Sequence, residues 1–222
     1  MRAMILAAGR GERMGTLTAS TPKPLLKVKN KYLIEYAIES LVRAGIQDII
    51  INVCYLGEKI KTAIGSGERY GARIVYSEEE VALETAGGII QGLPWLGREP
   101  FVVVSADVIT DFPIATLRLQ EDCLAHLVVV DNPSFHPKGD FGLEGSYLSY
   151  DAEPTFTFAN IGIYHPDLFV TLAPQRLRLN AVFKPAILER RISAEHYSGL
   201  WYNVGAPEDL LEFQAEDGFL GI

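Results

Sequence analysis

Five short stretches constrain the fold of this chain more than any other feature: "RAMILAAG", "DIIINV", "ARIVYS", "FVVVSAD" and "AHLVVVD". Each is apolar, rich in Val and Ile, and lacks the polar alternation of a strand with one wet face. Such runs belong to strands buried on both sides, as in a parallel sheet covered by helices. Segments of helical period fall between them. In "YLIEYAIESLVRAG" the apolar positions Leu33, Ile34, Ala37, Ile38, Leu41 and Val42 recur at helical spacing, and Gly45 stands where a C-terminal cap belongs. The expectation is an α/β fold, with a Rossmann-like, mixed but mainly parallel central sheet flanked by helices.

After Asp131 the texture changes to Gly-, Pro- and aromatic-rich segments, "NPSFHPKGDFGLEGSYLSY", "PTFTFANIGIYHP" and "HYSGLWYNVG", which read as mixed strands and loops closing one side of a cleft. No repeat or Ser/Gly/Pro-rich linker divides the 222 residues, and 48% hydrophobic residues suffice for a sizeable core. One domain spanning 1–222 is expected, with a first part to about residue 131 and a second from about 132. The net charge of −8 argues against a nucleic-acid or anionic-membrane partner, either of which needs clustered Lys and Arg. An anionic substrate must then be held by a local basic site. Cys54 and Cys123 lack metal-ligand spacing and read as reduced thiols at strand ends. His126, His136, His165 and His196 share no ligand spacing, though His136 stands where it could border a ligand. "AMILAAG" is too short for a membrane span and lacks signal-peptide flanks, so a cytoplasmic protein is expected.

The stretch "LAAGRGERMGTLTASTPKPLL" has the glycines and bases of a phosphate-binding loop. A dinucleotide fingerprint fails, because Met14 occupies the third glycine position and Pro22 and Pro24 interrupt any helix there. A P-loop fails for want of Gly-Lys-Ser/Thr. What remains is a glycine-rich turn at the carboxyl end of the first strand. Its backbone N–H groups can face an anion, with Arg10, Arg13 and Lys23 adding full charges. That arrangement suits triphosphate chemistry; solvated surface charges on a turn are the bland alternative. Asp107 directly follows a buried strand. The position suits a magnesium ligand, or the N-cap of a helix.

"LAAGRGERM" followed by "TPKPLL" resembles the signature of the sugar-phosphate nucleotidyltransferases, and the likeness extends over nearly the whole chain. The resemblance implies their GT-A-like fold, with residues 1–131 binding nucleotide and residues 132–222 the sugar phosphate. It implies transfer of a nucleotidyl group from a nucleoside triphosphate to a sugar 1-phosphate, giving an NDP-sugar and pyrophosphate. Arg13 and Lys23 would be catalytic. Leu6, Ala8, Gly9 and Gly11 would line the nucleotide, and in "LETAGGI" Thr85, Gly87 and Gly88 would pack against base and ribose; capping of a helix by Thr85 is compatible with that role. Gly142, Asn160 and Gly162 would face the sugar. Asp107 and the residue at 203 would hold Mg2+. "DNPSFHPKGDF", together with Glu195 to Tyr197, resembles the N-acetylmuramate-1-phosphate uridylyltransferase branch that serves peptidoglycan recycling, which favours UTP; mannose-1-phosphate guanylyltransferases share most of the architecture. The resemblance leaves a monomer or small homo-oligomer.

Three positions depart from the family pattern. Gly15-Thr16 replaces a stiffer pair, which implies a looser loop, and Arg178 stands where a lysine-containing segment is usual. Asn203 replaces the second metal-binding Asp. An amide oxygen coordinates magnesium without the charge and therefore more weakly. That substitution keeps a second expectation open, a regulatory homologue that binds nucleotide or sugar phosphate with little turnover. Asp111 is the carboxylate that could complete the metal site instead.

Overall fold

The computed structural model describes residues 1–215. The elements in chain order are β1 (Arg2–Leu6), β2 (Lys27–Val28), β3 (Lys31–Tyr32), α1 (Leu33–Arg43), β4 (Asp48–Val53), α2 (Gly57–Ile64), β5 (Arg73–Glu78), α3 (Glu84–Leu96), β6 (Phe101–Ser105) and β7 (Val108–Thr110). They continue with β8 (Ala125–Val130), β9 (Phe141–Glu144), β10 (Tyr147–Ser149), β11 (Thr155–Tyr164), α4 (Leu179–Leu188), β12 (Ile192–His196), β13 (Trp201–Asn203) and α5 (Pro207–Ala215). Nine strands form one sheet in the order β5-β4-β1-β6-β11-β8-β12-β10-β9. β5, β4, β1 and β6 are mutually parallel, β11 runs antiparallel to both β6 and β8, and β12 runs parallel to β8. This is the mixed, helix-flanked sheet expected from the strand patterns.

In β1, β4, β6 and β8 alternate side chains enter different cores, which is why those runs are apolar throughout; the expectation for "ARIVYS" is corrected, since β5 is an edge strand whose Val75 is exposed. Ala3, Ile5, Ile49, Ile51, Val102 and Val104 pack on one face with Ile34, Ala37, Ile38 and Leu41 of α1. Met4, Ile50, Val103, Leu127 and Val129 pack on the other with Ile89 and Ile90 of α3 and Val182, Phe183 and Ile187 of α4. Each fully buried side chain of this size contributes about 1.5–3 kcal/mol relative to exposure. Helix α1 starts where the Glu35 carboxylate accepts the Tyr32 N–H at 2.6 Å and ends at Gly45, whose φ of +80° supplies the left-handed turn.

Two features set up the site. The chain leaves β1 toward β4 and β5 on one side and returns to β6 on the other, so a crevice opens at the carboxyl ends of β1, β4 and β6. There Leu6 stands in register with Asn52 and Ser105. Beside it, β7 and β13 form a separate antiparallel ribbon in which Val108 pairs with Asn203. The N-cap reading of Asp107 is thereby corrected, since Asp107 lies in the tight turn between β6 and β7 and no helix follows. The capping reading of Thr85 is corrected as well: α3 begins at Glu84 with Leu83 at its N-cap. Among the described residues, no helix is long and apolar enough to cross a membrane.

Candidate active site

The turn after β1 is shaped by Gly11, which has φ +65° and lies so close to Lys23 that an added Cβ would sit 2.9 Å from the Lys23 Cβ. Any larger residue would meet both backbone strain and the lysine stem. Residues Glu12–Thr18 coil into 3-10 turns broken at Gly15. The Thr18 hydroxyl donates to the carbonyls of Gly11 and Gly15 at 3.0 and 3.2 Å, and the Tyr55 hydroxyl donates to that of Ala19 at 2.9 Å. The Arg10 guanidinium lies 5.2 Å above the Tyr55 ring. The looseness expected from Gly15-Thr16 is thus offset by anchors from the β4–α2 connection. Pro22 and Pro24 flank Lys23 within a single 3-10 turn. This turn delivers a nearly buried ammonium to the Asp107 carboxylate, with which it forms an ion pair.

These residues line a cleft of about 550 Å³. Leu6, Ala8, Gly9, Gly11, Arg13, Lys23, Thr85 and Asp107 all border it, as do Arg10, Asn52, Glu79, Glu84 and Arg176. A second cavity of about 400 Å³ is bordered by Phe135, His136, Asp140, Phe158, Asn160, Asn180 and Asn203, and again by Arg13. Arg13 therefore stands between the two, its guanidinium close against Gly205. Asn160 reaches the second cavity from an irregularity in β11, where the register with β8 shifts between Phe158 and Gly162 and Asn160 takes φ +58°. Such a bulge redirects a side chain that regular pleating would send elsewhere.

Four glycines named from the sequence border neither space, and each is needed for packing. A Cβ on Gly87 would lie 2.1 Å from the Gln175 carbonyl oxygen, one on Gly88 2.7 Å from Asn52 and Glu79, one on Gly142 2.0 Å from the Ala152 carbonyl oxygen, and one on Gly162 2.8 Å from Leu127. Arg178 is the N-cap residue of α4 and borders neither cavity. Glu195, His196 and Tyr197 also lie away from both. Glu195 approaches His126 Nε2 at 3.2 Å, His196 pairs with Asp131 at 2.9 Å, and the Tyr197 hydroxyl donates to Asp111. Asp111 also accepts the Leu200 N–H at 2.8 Å, so it is committed to the loop before β13 rather than to the cleft.

Asn52 and Glu79 are among the cleft residues that escaped sequence reasoning, as is Arg176, which pairs with Glu84 at 3.0 Å. Asn52 Oδ1 accepts the Ala7 N–H at 2.8 Å while its Nδ2 donates to Glu79 at 2.7 Å, and the other Glu79 oxygen accepts the Leu83 N–H at 2.9 Å. This chain of bonds ties the ends of β1, β4 and β5 to the start of α3. Burial pushes the Glu79 carboxyl above its ordinary value, against the two hydrogen bonds that favour its charge. A polar residue inside "DIIINV" was the available signal for Asn52, because a buried amide must find partners.

The fit to a divalent cation is tested by one observation. The side-chain oxygen of Asn203 is buried without a hydrogen-bond partner, an expensive condition for a polar atom unless something else meets it. Asn203 pairs with Val108, and the Asp107 carbonyl accepts the Val204 N–H at 2.9 Å, so residues 107 and 203 are neighbours across the ribbon. No group of three or more His, Cys, Asp or Glu suited to a metal occurs among the described residues. Asp107 borders the first cavity, paired with Lys23, and Asn203 borders the second; as donor types, a carboxylate and an amide oxygen suit a hard cation that takes its other ligands from phosphate and water.

Residues 2–143 match the family model described as nucleotidyl transferase. The chain is 43% identical to an N-acetylmuramate alpha-1-phosphate uridylyltransferase of Neisseria meningitidis serogroup B, over 98% of this chain and 99% of that protein. It is 31% identical to a mannose-1-phosphate guanyltransferase of Gibberella zeae, over 95% of this chain and 62% of that one. In fold it matches a Bacillus anthracis protein provisionally assigned as a glucose-1-phosphate thymidylyltransferase, with TM-score 0.85 and 21% identity over 97% of this chain and 94% of that one. The cleft at the switch point of the sheet, the glycine turn with its buried lysine and these likenesses agree: the chain belongs to the nucleotidyl transferase family of enzymes.

Proposed function

We propose that this enzyme transfers a uridylyl group from UTP to N-acetylmuramic acid 1-phosphate, giving the UDP-sugar and pyrophosphate, in cytoplasmic peptidoglycan recycling. The observation that carries the reading is the pair of cavities meeting at Arg13, one rimmed by the glycine turn and Lys23, the other by amide side chains and aromatic rings. The 43% identity over nearly the full length of both chains supports this substrate pair over mannose 1-phosphate with GTP. The unpaired thiols Cys54 and Cys123 accord with a reducing compartment. On this reading residues 1–222 form one domain, with nucleotide held before about residue 131 and acceptor after it.

The acceptor brings its own nucleophile. An oxygen of the sugar phosphate attacks the α-phosphorus, the bond from that phosphorus to the β-phosphate bridging oxygen breaks, and pyrophosphate departs. The protein aligns two anions and offsets their repulsion, so no Ser, His or Cys nucleophile is needed. Backbone N–H groups of the Gly9–Gly11 turn face the triphosphate. Lys23 neutralises the α-phosphate, and Arg13, at the boundary of the cavities, stabilises charge on the departing pyrophosphate. Thr85 and the Asn52–Glu79 pair border the base and ribose, while Asn160 and Asn180 meet acceptor hydroxyl and acetamido groups. Asp107 and Asn203 would hold Mg2+, which when bound screens the phosphate oxygens and withdraws electron density from the reacting phosphorus.

The test is a matrix of UTP, GTP, CTP and dTTP against N-acetylmuramic acid, N-acetylglucosamine, mannose and glucose 1-phosphates, read as pyrophosphate release with Mg2+ present. Highest kcat/KM is expected for UTP with N-acetylmuramic acid 1-phosphate. Preference for GTP with mannose 1-phosphate would overturn the substrate assignment. Pyrophosphate release without any sugar phosphate would overturn the transfer itself.

A further inference from the structure

The second cavity differs from the first in its charge. Only two residues on its rim can carry positive charge, Arg13 and His136, and Arg13 also borders the triphosphate cleft. Asn160, Asn180, Asn203 and Thr157 provide neutral donors and acceptors suited to hydroxyls and amides. An acceptor with a second anionic group, remote from its phosphate, would find Arg13 occupied by phosphate oxygens. His136 is then the one other side chain on that rim able to carry positive charge.

The loop that carries His136 is built to hold it still. The His136 N–H donates to the Pro133 carbonyl at 2.9 Å, and the Gly139 N–H donates to the His136 carbonyl at 3.1 Å. Asn132 braces the base of the loop, donating to the Thr155 carbonyl at 3.0 Å and accepting from the Thr157 hydroxyl at 2.9 Å. The Asp140 N–H donates to the Phe156 carbonyl at 2.7 Å, and the Phe158 N–H donates to Asp140 Oδ2 at 2.9 Å. Asp140 Oδ1 lies 3.2 Å from His136 Nε2. The carboxylate, itself fixed by backbone, thus orients the imidazole through Nε2 and leaves Nδ1 as the ring nitrogen not engaged with Asp140. Phe135, more than half exposed on the same rim, offers an apolar surface next to that residue.

We propose that His136 is a specificity-determining residue of the acceptor cavity, reading a carboxylate on a side chain of the sugar ring. The proposal rests on the acceptor assigned above, whose lactyl ether carries such a carboxylate and whose N-acetylglucosamine counterpart lacks it. His136 supplies the charge-assisted hydrogen bond, Asp140 orients the ring, and Phe135 shields the apolar part of the ether. Discrimination comes from one hydrogen bond to a carboxylate, and the amide and hydroxyl groups of the rim serve either sugar.

The experiment measures kcat and KM for N-acetylmuramic acid 1-phosphate and N-acetylglucosamine 1-phosphate, with UTP, for the unaltered protein and for His136→Gln and His136→Lys. A hydrogen bond to a charged group corresponds to about 10- to 100-fold in relative affinity. In His136→Gln the ratio of kcat/KM, acid acceptor over neutral, should fall by that factor, with the change mostly in KM for the acid. His136→Lys should restore much of the ratio, because a donor able to meet a carboxylate stands again at the same place. A general loosening of the loop would lower both acceptors together and leave the ratio unchanged, and that outcome overturns the proposal, as does failure of Lys to recover any of the ratio. An unaltered protein without preference for the acid acceptor would instead refute the acceptor assignment itself.

Discussion

The contact between Lys23 and Asp107 yields the most demanding prediction. Lys23 retains only 8% of its surface, its ammonium pairs with Asp107, and the Asp107 side chain is 27% exposed. Lys23→Met keeps most of the stem packed against Gly11 and removes the charge. Breaking a fully buried pair costs about 3–5 kcal/mol, but water reaches one side of Asp107, so about 1–2 kcal/mol is expected here. For a domain of this size that lowers Tm by about 2–8 °C. Turnover should drop by about two to three powers of ten, the usual loss when a donor aimed at developing charge is removed. The response to Mg2+ alone should change in the opposite sense. If Asp107 holds the cation as proposed, in the unaltered protein Mg2+ must displace an ammonium from it, whereas in Lys23→Met the carboxylate has no competitor. Excess Mg2+ without nucleotide should therefore raise Tm more in the variant than in the parent, and the added Asp107→Asn change should abolish that gain. Thermal denaturation with and without Mg2+, together with pyrophosphate release, measures all three. Equal stability, combined with an unchanged Mg2+ response, would refute the reasoning.

Asn203→Asp should let Mg2+ saturate the enzyme at lower concentration and raise turnover, since a charge is added where an amide oxygen now lacks a partner; an unmoved Mg2+ titration would remove position 203 from the cation site. Gly87→Ala should destabilise by about 1–3 kcal/mol in chemical denaturation, because the new methyl meets the Gln175 carbonyl. Gly9→Ala, with no atom within 4 Å, should stay within about 0.5 kcal/mol. Glu79 gives a pH dependence of defined sign. Its folded pKa lies above the ordinary 4.5, so as pH rises from there the unfolded chain loses its proton first and the folded state is progressively disfavoured, until both are ionised. The stability of the parent relative to Glu79→Gln should fall through that window and level off above it; a difference that rises instead would contradict the burial argument.

The parts legible in the sequence were those governed by local chemistry. Strands buried on both faces have no polar face to display, so "FVVVS" and "AHLVVV" announced a covered sheet. Likewise Leu33, Ile34, Ala37, Ile38 and Leu41 announced the buried face of α1, and all five are buried. The glycine turn was equally visible, because φ +65° at Gly11 and the prolines around Lys23 are demands on individual residues. The glycines at 87, 88, 142 and 162 were visible too, but their reason was not. A missing Cβ looks the same whether it admits a ligand or a neighbouring carbonyl.

What tertiary structure alone decided is which distant residues share a surface. Asn52 and Glu79 meet because β4 and β5 are adjacent and in register, and Asp107 faces Lys23 across 84 positions of sequence. Asp111, a plausible metal ligand by its distance along the chain from Asp107, is turned away by Tyr197 and Leu200. Asn160 enters the second cavity only because β11 breaks register, and His136 shares a rim with Arg13 only once the cavity exists. Periodicity and turn chemistry are written residue by residue, so the strands, α1 and the phosphate turn could be read from the chain itself. A cavity's charge and shape are sums over residues that only the packed sheet brings together.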